Sequence, residues 1–380
     1  MKKILMLMVL LVIMVQPKSF ADTSLIEKSS IVVTRYKLTH PSWYELPQYY
    51  NGVSKYSGLK GVYTAKHSPV AVSCNLGNWA TYSENSDGDL SIYSLNLTTG
   101  MKYLVHTVFG FNDPHQNAAI QCGGGKLWVT VGSRGDKRLG YQYSSTNGES
   151  WTLYATGYRA YPQLHWVNDH LVTVYSSYEH QVDGSIIRRP MTSCGDYPLT
   201  SDGIGHYMIS YYDGSYIHMV YNDLWPDGTY GAADNRIHLK YMKSVDGCVW
   251  TSPVNWYDGY EFIYLKDFAS VNGIPTALVV KSDSVDPNYG NREVWKITAN
   301  SQTFVRKTNH NYTTGSLMLP SGDIAWSDGE SVYAGGSFMG IGYVNYIRRV
   351  HGDNSLFVTS GSTARSEFKE SNIYSIMINK

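Results

Sequence analysis

The chain reads KLWVTV at residues 126–131 and STNGESW at residues 145–151. Alternating apolar residues in the first segment predict a half-buried β-strand, and Asn147-Gly148 in the second predicts a tight turn under which Trp151 packs back. A closely similar turn, SVDGCVW, recurs at residues 244–250. One unit that is used twice predicts a repeat fold.

The composition favours strands and turns over helices. The 380 residues include 35 glycines and 33 tyrosines, and only 16% of them are charged. Beyond the N-terminal segment, no helical period runs longer than about two turns. No Pro/Ser-rich or charged linker divides the chain, which favours one domain over two. We therefore predict an all-β protein with a single domain at residues 22–380.

A longer period selects the architecture. Alternating or apolar segments follow turn signals at residues 90–93, 127–129, 170–174, 216–220, 274–280 and 331–333. Their starts lie about 40 to 60 residues apart, which suits the four-stranded blade of a β-propeller. Blades of about 45 to 50 residues give seven or eight, and we predict seven. A tandem of β-sandwiches is the alternative, but its strands would recur every 8 to 12 residues or so without a longer period.

The N-terminus predicts export. Met1-Lys2-Lys3 precedes an apolar run at residues 4–15, and Ser19-Phe20-Ala21 fits the small residues of a cleavage site. We predict a signal peptide at residues 1–21 and a secreted or periplasmic mature protein. A membrane anchor is the weaker interpretation, because the apolar run is about half of the roughly 20 residues that span a bilayer. After cleavage no membrane span is expected.

The charge excludes one class of partner. The signal peptide holds three of the 31 basic residues and none of the 31 acidic ones, so the mature chain has a net charge near −3. A balance of this kind gives no electrostatic attraction for nucleic acid, and we predict no nucleic-acid partner.

Four cysteines form an even set in an exported chain, so disulfides are permitted. Three pairings are open. We prefer Cys74 with Cys122 and Cys194 with Cys248, because each pair closes a segment of about one repeat. No CxxC spacing points to zinc. The sequence contains no H-x-H or HExxH arrangement that would indicate a metal site. The cofactor is therefore unknown, and a structural cation remains one of the alternatives.

The segment from about residue 113 to residue 250 resembles the bacterial-neuraminidase-repeat (Asp-box) β-propeller superfamily, in its branch of secreted, sialidase-like proteins. The resemblance rests on DPHQNAAI at 113–120, WVTVGSRG at 128–135, AYPQ at 160–163, GHYMIS at 205–210 and DNRIHLKYMKSVDGCVW at 234–250. Asn147 stands where the repeat usually has Asp, and both turns are one residue shorter than usual.

The same branch includes propeller polysaccharide lyases such as ulvan lyases, which use two histidines, a tyrosine and an arginine. His115 matches the first histidine, and Tyr161 matches the tyrosine. Arg134 stands where the second histidine is expected, and Ser176 or Ser177 occupies the region of the arginine. The resemblance implies an acidic polysaccharide as substrate, and Arg134 is a candidate for recognising its uronate.

The chemistry of β-elimination assigns roles to these residue types. Arg134 and Arg236 offer fixed, bidentate donors that neutralise a uronate carboxylate and make the neighbouring proton removable. An imidazole titrates near working pH and can remove that proton, while a tyrosine exchanges the proton of the leaving oxygen. No metal is required. We therefore predict catalytic roles for His115, Tyr161 and His206, and substrate binding by Asn117, Arg134, Tyr207 and Arg236.

Two other functions remain open. A sialidase-like hydrolase needs an arginine triad and a tyrosine nucleophile, but the nearest string to the Arg-Ile-Pro motif of sialidases, Arg188-Arg189-Pro190, lies mid-chain. A binding propeller without catalysis would use aromatic pairs such as Trp43-Tyr44 and Tyr211-Tyr212 to stack on sugar rings. Local structural roles are equally open for His115, whose loop offers backbone partners, and for most of the tyrosines, which pack between blades.

Overall fold

The computed structural model describes many segments of the chain between residues 25 and 378. They are residues 25–28, 31–37, 49–50, 53–54, 67–86, 89–109, 116–133, 139–177, 179–180, 186–187, 189–195, 198–199, 205–224, 236–259, 261–283, 292–307, 316–319, 321–327, 331–334, 337–342, 344–362 and 371–378. The predicted signal peptide, His115 and Arg134 lie outside these residues. So do the side chains of His206 and Arg236.

The named regular elements of these residues are all β-strands, which confirms the all-β prediction. The first strands along the chain are β1 (Leu25–Lys28), β2 (Ile31–Lys37), β3 (Tyr49–Tyr50) and β4 (Val53–Ser54). Sheet 1 contains β5 (Ala71–Cys74), β6 (Gly77–Ser86), β7 (Asp89–Asn96) and β8 (Lys102–Val108). Sheet 2 contains β9 (Ala118–Gly123), β10 (Lys126–Val131), β11 (Gly140–Ser145) and β12 (Thr152–Gly157).

The middle of the chain continues in the same way. Sheet 3 contains β13 (Ala160–Val167), β14 (His170–Ser176) and, after the short hairpin of β15 (Glu179–His180) and β16 (Ile186–Ile187), β17 (Pro190–Thr192). Sheet 4 contains β18 (Gly205–Tyr212), β19 (Ile217–Leu224), β20 (Arg236–Ser244) and β21 (Val254–Tyr257). Sheet 5 contains β22 (Phe262–Val271), β23 (Ile274–Ser282), β24 (Arg292–Ile297) and β25 (Gln302–Lys307).

The last two sheets complete the chain. Sheet 6 contains β26 (Ser316–Met318), β27 (Ile324–Ser327), β28 (Ser331–Ala334) and β29 (Ser337–Gly342). Sheet 7 contains β30 (Val344–Val350), β31 (Asp353–Ser362) and β32 (Ser371–Ile378), to which β2 and then β1 are added at the outer edge. In the described residues, seven sheets of three to five antiparallel strands thus follow one another, as in a β-propeller. Among these residues no helix is long and apolar enough to cross a membrane.

The first strands of successive sheets lie against one another. Strand β5 contacts β9, β9 contacts β13, and the series continues through β18, β22 and β26 to β30, which contacts β5 again. Backbone hydrogen bonds join the last and first members, because Ser73 N donates to His351 O at 2.7 Å and His351 N donates to Ala71 O at 3.0 Å. We call the line surrounded by these strands the axis. Its upper face is where the first strands begin, and its lower face is where they turn into the second strands.

The apolar core lies between neighbouring sheets. Val174 of sheet 3 packs with Met219 of sheet 4, and Val220 of sheet 4 packs with Ile263 and Val279 of sheet 5. A sheet that is covered on both faces needs apolar residues in near-continuous runs. This requirement explains segments such as LVTV in β14 and ALVV in β23.

The two turns that drew attention in the sequence have the same hydrogen bonds. Gly148 N donates to Ser145 Oγ at 2.8 Å, and the amides of Glu149 and Ser150 donate to Asn147 Oδ1 at 3.0 and 3.1 Å. In the second turn, Gly247 N donates to Ser244 Oγ at 2.8 Å, and the amides of Cys248 and Val249 donate to Asp246 Oδ1 at 2.8 and 2.9 Å. Asn and Asp are interchangeable here because both supply a short side-chain oxygen to the turn.

Each of these turns docks on the preceding sheet. Gly148 O accepts a hydrogen bond from Ser94 Oγ of sheet 1 at 2.8 Å, and Gly247 O accepts one from Thr192 Oγ1 of sheet 3 at 2.6 Å. Trp151 Nε1 also donates to Ser94 Oγ, at 3.2 Å. The repeated turn therefore joins sheets as well as strands.

The disulfides are Cys74–Cys122 and Cys194–Cys248, which confirms the preferred pairing. The first joins the end of β5 to β9, and the second joins the segment after β17 to the turn between β20 and β21. Both bridges therefore link neighbouring sheets at the lower face.

Replacing Cys74 and Cys122 together with alanine should lower the free energy of unfolding by about 2–4 kcal/mol, because the bridge closes a loop of roughly 50 residues in the unfolded chain. Guanidinium unfolding under oxidising conditions measures the loss. In the presence of a reductant the variant and the wild type should unfold alike. An unchanged midpoint under oxidising conditions would contradict this account.

Gly148→Ala should destabilise the fold more than Gly273→Ala. Both glycines have a positive φ, 76° and 79°, so both substitutions carry the left-handed cost of about 1–2 kcal/mol. A Cβ at Gly148 would lie 2.4 Å from Trp79 Cζ2, whereas a Cβ at Gly273 meets nothing within 4 Å. Overpacking should add about 1–3 kcal/mol at Gly148 alone. Equal midpoints of the two variants in chemical denaturation would refute the docking of this turn on Trp79.

Candidate functional site

The described backbone brings five of the seven sequence-predicted residues to one face. Tyr161 is the second residue of β13, His206 and Tyr207 are the second and third residues of β18, and Asn117 directly precedes β9. Arg236 is the first residue of β20, a third strand. In an antiparallel sheet the first and third strands run in the same direction. The backbone positions of these five residues therefore all lie at the upper face.

Bulges shape the first strands at this face. In β13, Ala160 pairs with Ser176 and Gln163 with Val174, so Tyr161 and Pro162 together oppose a single residue. Tyr161 has a φ of 52°, in the left-handed region that a bulky residue seldom adopts. Pro162 has no N–H to give to the ladder, which favours a bulge at this point.

The neighbouring first strands carry the same irregularity. In β18, Gly205 pairs with Asp223 and Met208 with Tyr221, which places His206 and Tyr207 in a bulge. In β22, Lys266 is the extra residue between two paired neighbours. Bulges re-aim side chains and are frequent next to active sites.

A row of aromatic rings crosses the upper part of the axis. The ring centroids of Tyr161 and Tyr207 are 5.5 Å apart, edge to face, and those of Tyr207 and Tyr264 are 6.3 Å apart. The ring centroids of His67 and Tyr161 are 5.7 Å apart, and Lys266 Nζ lies 4.4 Å from the ring centroid of Tyr264. The row therefore joins sheets 3, 4 and 5 and extends to the segment before β5.

Tyr264, Lys266 and His67 were missed in the sequence. Tyr264 is the third residue of its first strand, as Tyr207 is of β18. An alignment of the repeats by their first strands would have exposed this correspondence. Nothing in the sequence marks His67 or Lys266.

Asn117 is fully buried. Its Oδ1 accepts hydrogen bonds from Ser83 Oγ at 3.1 Å and from Ala118 N at 2.9 Å. Through Ser83 it pins β6 of sheet 1 to the start of β9. These contacts give Asn117 a positioning role at the upper face, and its contact with substrate stays a prediction.

A hydrogen-bonded imidazole lies deeper along the axis. His165 Nε2 is 2.8 Å from Ser210 Oγ, and Ser210 Oγ is 2.8 Å from Gln163 Oε1, which also accepts the Ser210 amide at 2.6 Å. We assign the proton to Nε2, because the chain His165 N–H to Ser210 O–H to Gln163 C=O then satisfies each donor. In this tautomer the imidazole donates to Ser210 and does not activate it as a nucleophile.

Between sheets 4 and 5, a tyrosine and a carboxylate form a pair. Tyr257 Oη donates to Glu261 Oε2 at 2.5 Å, and Lys281 Nζ lies 3.3 Å from the same oxygen. Burial and then Glu261 raise the pKa of Tyr257 above its ordinary value, while the hydrogen bond from Tyr257 and then Lys281 lower the pKa of Glu261. A tyrosine that holds its proton so firmly is poorly suited to act as a nucleophile.

Within the described ranges, no group of three or more His, Cys, Asp or Glu side chains is arranged to hold a metal ion. The site described above is thus built from aromatic, amide, imidazole and ammonium groups.

No protein-family model matches the chain. No curated protein matches it either. Among solved structures, the polysaccharide lyase Uly1 is similar with 11% identity over 88% of this chain and 95% of that chain, at a TM-score of 0.48. An α-L-arabinanase of Penicillium chrysogenum has 11% identity over 84% and 96%, at a TM-score of 0.44. The β-propeller domain of the Trilobed protease from Pyrococcus furiosus has 9% identity over 78% and 92%, at a TM-score of 0.43. Likenesses at this level assign no activity to this chain.

Acid should destabilise the fold through two buried imidazoles near the axis. Burial, and then the proximity of His351, lower the pKa of His165 to about 3. Burial, and then Arg349, lower the pKa of His351 to about 4. A histidine in the unfolded chain has a pKa of about 6.5. Below that pH the two imidazoles bind protons in the unfolded chain but stay neutral in the folded one. The free energy of unfolding should therefore fall as the pH is lowered from 6.5 towards 4.

His165→Gln should remove part of this pH dependence, at most about 1.4 kcal/mol per pH unit. Urea unfolding of both proteins at pH 7, 6 and 5 measures the slope, which is independent of any constant loss of stability. His170→Gln, at an exposed position, is the matched control and should keep the wild-type slope. The same slope in the His165 variant would contradict a buried, neutral His165.

Proposed function

We propose that this chain is a secreted, carbohydrate-active β-propeller that cleaves a uronic-acid-containing polysaccharide by β-elimination. The observation that carries the proposal is the conformation of Tyr161. A bulge and a positive φ hold this tyrosine at the upper face, beside Tyr207. Such a conformation costs on the order of 1–3 kcal/mol and persists where the surroundings over-determine it, often at active sites.

The proposed architecture is a single domain at residues 22–380 with seven blades, after removal of a signal peptide at residues 1–21. The series of contacts between first strands, which returns from β30 to β5, supports this architecture. So does the pairing of β2 with β32, which adds an N-terminal strand to the C-terminal sheet. The two disulfides are consistent with an oxidising, extracytoplasmic compartment.

The proposed chemistry has three parts. Arg134 and Arg236 bind the uronate carboxylate and stabilise the charge that develops when the C5 proton leaves. His115 or His206 removes that proton. Tyr161 delivers a proton to the departing glycosidic oxygen as the C4–O bond breaks and a C4–C5 double bond forms.

The positions of these residues in the sequence support a common site. His115 falls three residues before β9, and Arg134 falls between β10 and β11, a connection that leads into a third strand. Tyr161 is only 2% exposed, so the proposed proton transfer requires the substrate to reach a largely buried hydroxyl. Tyr207 and Tyr264 are 7% and 8% exposed, so a sugar would contact them only through the small exposed part of their surface. No cofactor takes part in these steps.

A binding propeller without turnover is the second candidate, and the aromatic row favours it. The three tyrosines of the row are buried, so a sugar would bind against the small part of their surface that is exposed. A sialidase-like hydrolase is less favoured. Three described tyrosines donate to a carboxylate, Tyr82, Tyr103 and Tyr257, and the pKa of each phenol is raised above its ordinary value, first of all by burial.

Tyr161→Phe should lower kcat by about 10²- to 10⁴-fold, because it removes the exchanged proton and keeps the ring contacts. The assay follows the ultraviolet absorbance of the unsaturated product on a panel of uronate polysaccharides. Tyr154→Phe makes the same chemical change at a residue that is 67% exposed on the outer strand β12, and it should leave kcat unchanged. His115→Ala should also abolish the absorbance rise.

Two results would count against the lyase. A wild-type protein that produces no unsaturated product from any polysaccharide of the panel, yet is retained on polysaccharide affinity gels, would establish binding without turnover. An active wild type with a fully active Tyr161→Phe variant would remove Tyr161 from the mechanism.

A further inference from the structure

A polar cavity lies on the axis and extends to the lower face. Its volume is about 350 Å³, within the range of roughly 300–1,000 Å³ that small-molecule sites have. Its walls come from the first strands of sheets 3, 4, 5 and 7, from the hairpin that follows β30, and from Ser68 and Val70 before β5. The residues on which the argument rests are Ser210, Tyr211, Tyr212, Phe268, Ser270 and Arg349. Of the sequence-predicted site residues whose side chains the structure describes, Asn117, Tyr161 and Tyr207 do not line it.

The charges in its wall are already compensated. Arg349 Nη2 lies 2.9 Å from Asp267 Oδ2 and also donates to Met318 O at 2.8 Å. The same carboxylate oxygen accepts the Met318 amide at 2.8 Å. This network joins sheets 5, 6 and 7 and leaves the Asp267 carboxylate little capacity for a cation.

The second carboxylate in the wall, that of Asp213, also accepts hydrogen bonds from the protein itself. Asp213 Oδ2 accepts a hydrogen bond from His218 Nε2 at 2.8 Å, and Asp213 Oδ1 accepts the amides of Ser215 and Tyr216 at 2.8 Å each. Two carboxylates, Asp213 and Asp267, face two guanidinium groups, Arg348 and Arg349, around the cavity. Their formal charges cancel, so the cavity has no net charge with which to select an ion.

The remaining wall combines aromatic faces with hydroxyl groups. Tyr211 and Phe268 pack edge to face with centroids 4.9 Å apart, and Tyr212 adjoins them on β18. Ser270, which is exposed, places its hydroxyl on the cavity, while the hydroxyl of Ser210 in the same wall is already bonded to His165 and Gln163. Apolar walls with a few placed polar groups fix the orientation of a small ligand. A ring that carries C–H faces and several hydroxyls matches this surface.

We propose that this lower-face cavity binds a neutral, polyhydroxylated ligand of the size of a monosaccharide. The proposal does not rest on the lyase centre, because none of that centre's described side chains lines the cavity. The cavity does extend towards that centre, since Ser68 in its wall donates to Pro162 O, next to Tyr161.

Isothermal titration calorimetry of the intact protein tests the proposal with D-glucose, D-galactose, D-xylose and L-rhamnose, and with D-glucuronate as the charged counterpart. At least one neutral sugar should bind with a dissociation constant of about 1 mM or below, which corresponds to roughly −4 kcal/mol. Ser270→Trp fills the rim of the cavity and should weaken that binding at least about tenfold. Ser270→Ala leaves the space open and should keep the affinity within about threefold.

A second variant tests the proposal independently in case Ser270→Trp misfolds. Tyr212→Leu removes an aromatic wall and should also weaken binding about tenfold, with far-ultraviolet circular dichroism confirming the fold of both variants. Three results overturn the proposal: no neutral sugar binds, only glucuronate binds, or binding survives both Ser270→Trp and Tyr212→Leu. Tyr161→Phe separates the two sites, since it should leave sugar binding at the lower face unchanged whether or not the lyase assignment holds.

Discussion

Strand β2 pairs with β32 over seven residues, from Ile31 opposite Ile378 to Lys37 opposite Asn372. This pairing carries an N-terminal strand to the outer edge of the C-terminal sheet. Tyr36 of β2 then reaches the next sheet, because its hydroxyl donates to Leu97 O in sheet 1 and its ring is buried with Ala80 and Val350. Sheets 7 and 1 are thereby held together at the outer edge by a side chain and at the axis by backbone hydrogen bonds. This junction completes the series of contacts between first strands around the axis.

The two faces of the axis contain different structural features. The lower face has the disulfides and the turns at Asn147 and Asp246, each of which ties one sheet to its neighbour. The upper face has the bulges of β13, β18 and β22, which break the ladder and redirect side chains. Rigid ties at one end allow irregular backbone at the other without loss of the overall arrangement. This division explains why the candidate catalytic residues and the fold-defining turns occupy opposite ends of the same strands.

Much of the fold was predictable, because apolar runs and turn residues carry physical requirements that are local in sequence. The segments 127–129, 170–174, 216–220 and 274–280 coincide with second strands, whose two faces are both covered by neighbouring sheets. The first strands were not recognised. They face the axis with polar residues such as Gln163 and Ser210, and their bulges shift the alternation by one residue. No period-two pattern survives such a shift. Tyr161 and Tyr207 were singled out because they lie in recognisable motifs. Tyr264 lies in no such motif, and the missing alternation gave no other signal for it.

The polar character of the axis follows from the geometry of the first strands. These strands have no further strand on their inner side, so their inward side chains meet one another across a narrow space. A buried polar group without a partner is costly, and the axis meets this requirement with networks that cross between sheets. His165, Ser210 and Gln163 join sheets 3 and 4, while Asp267, Arg349 and Met318 join sheets 5, 6 and 7. Each network fixes polar atoms before any ligand arrives. If a ligand binds along the axis, these side chains are already ordered, so less of its binding energy would be lost in ordering the protein.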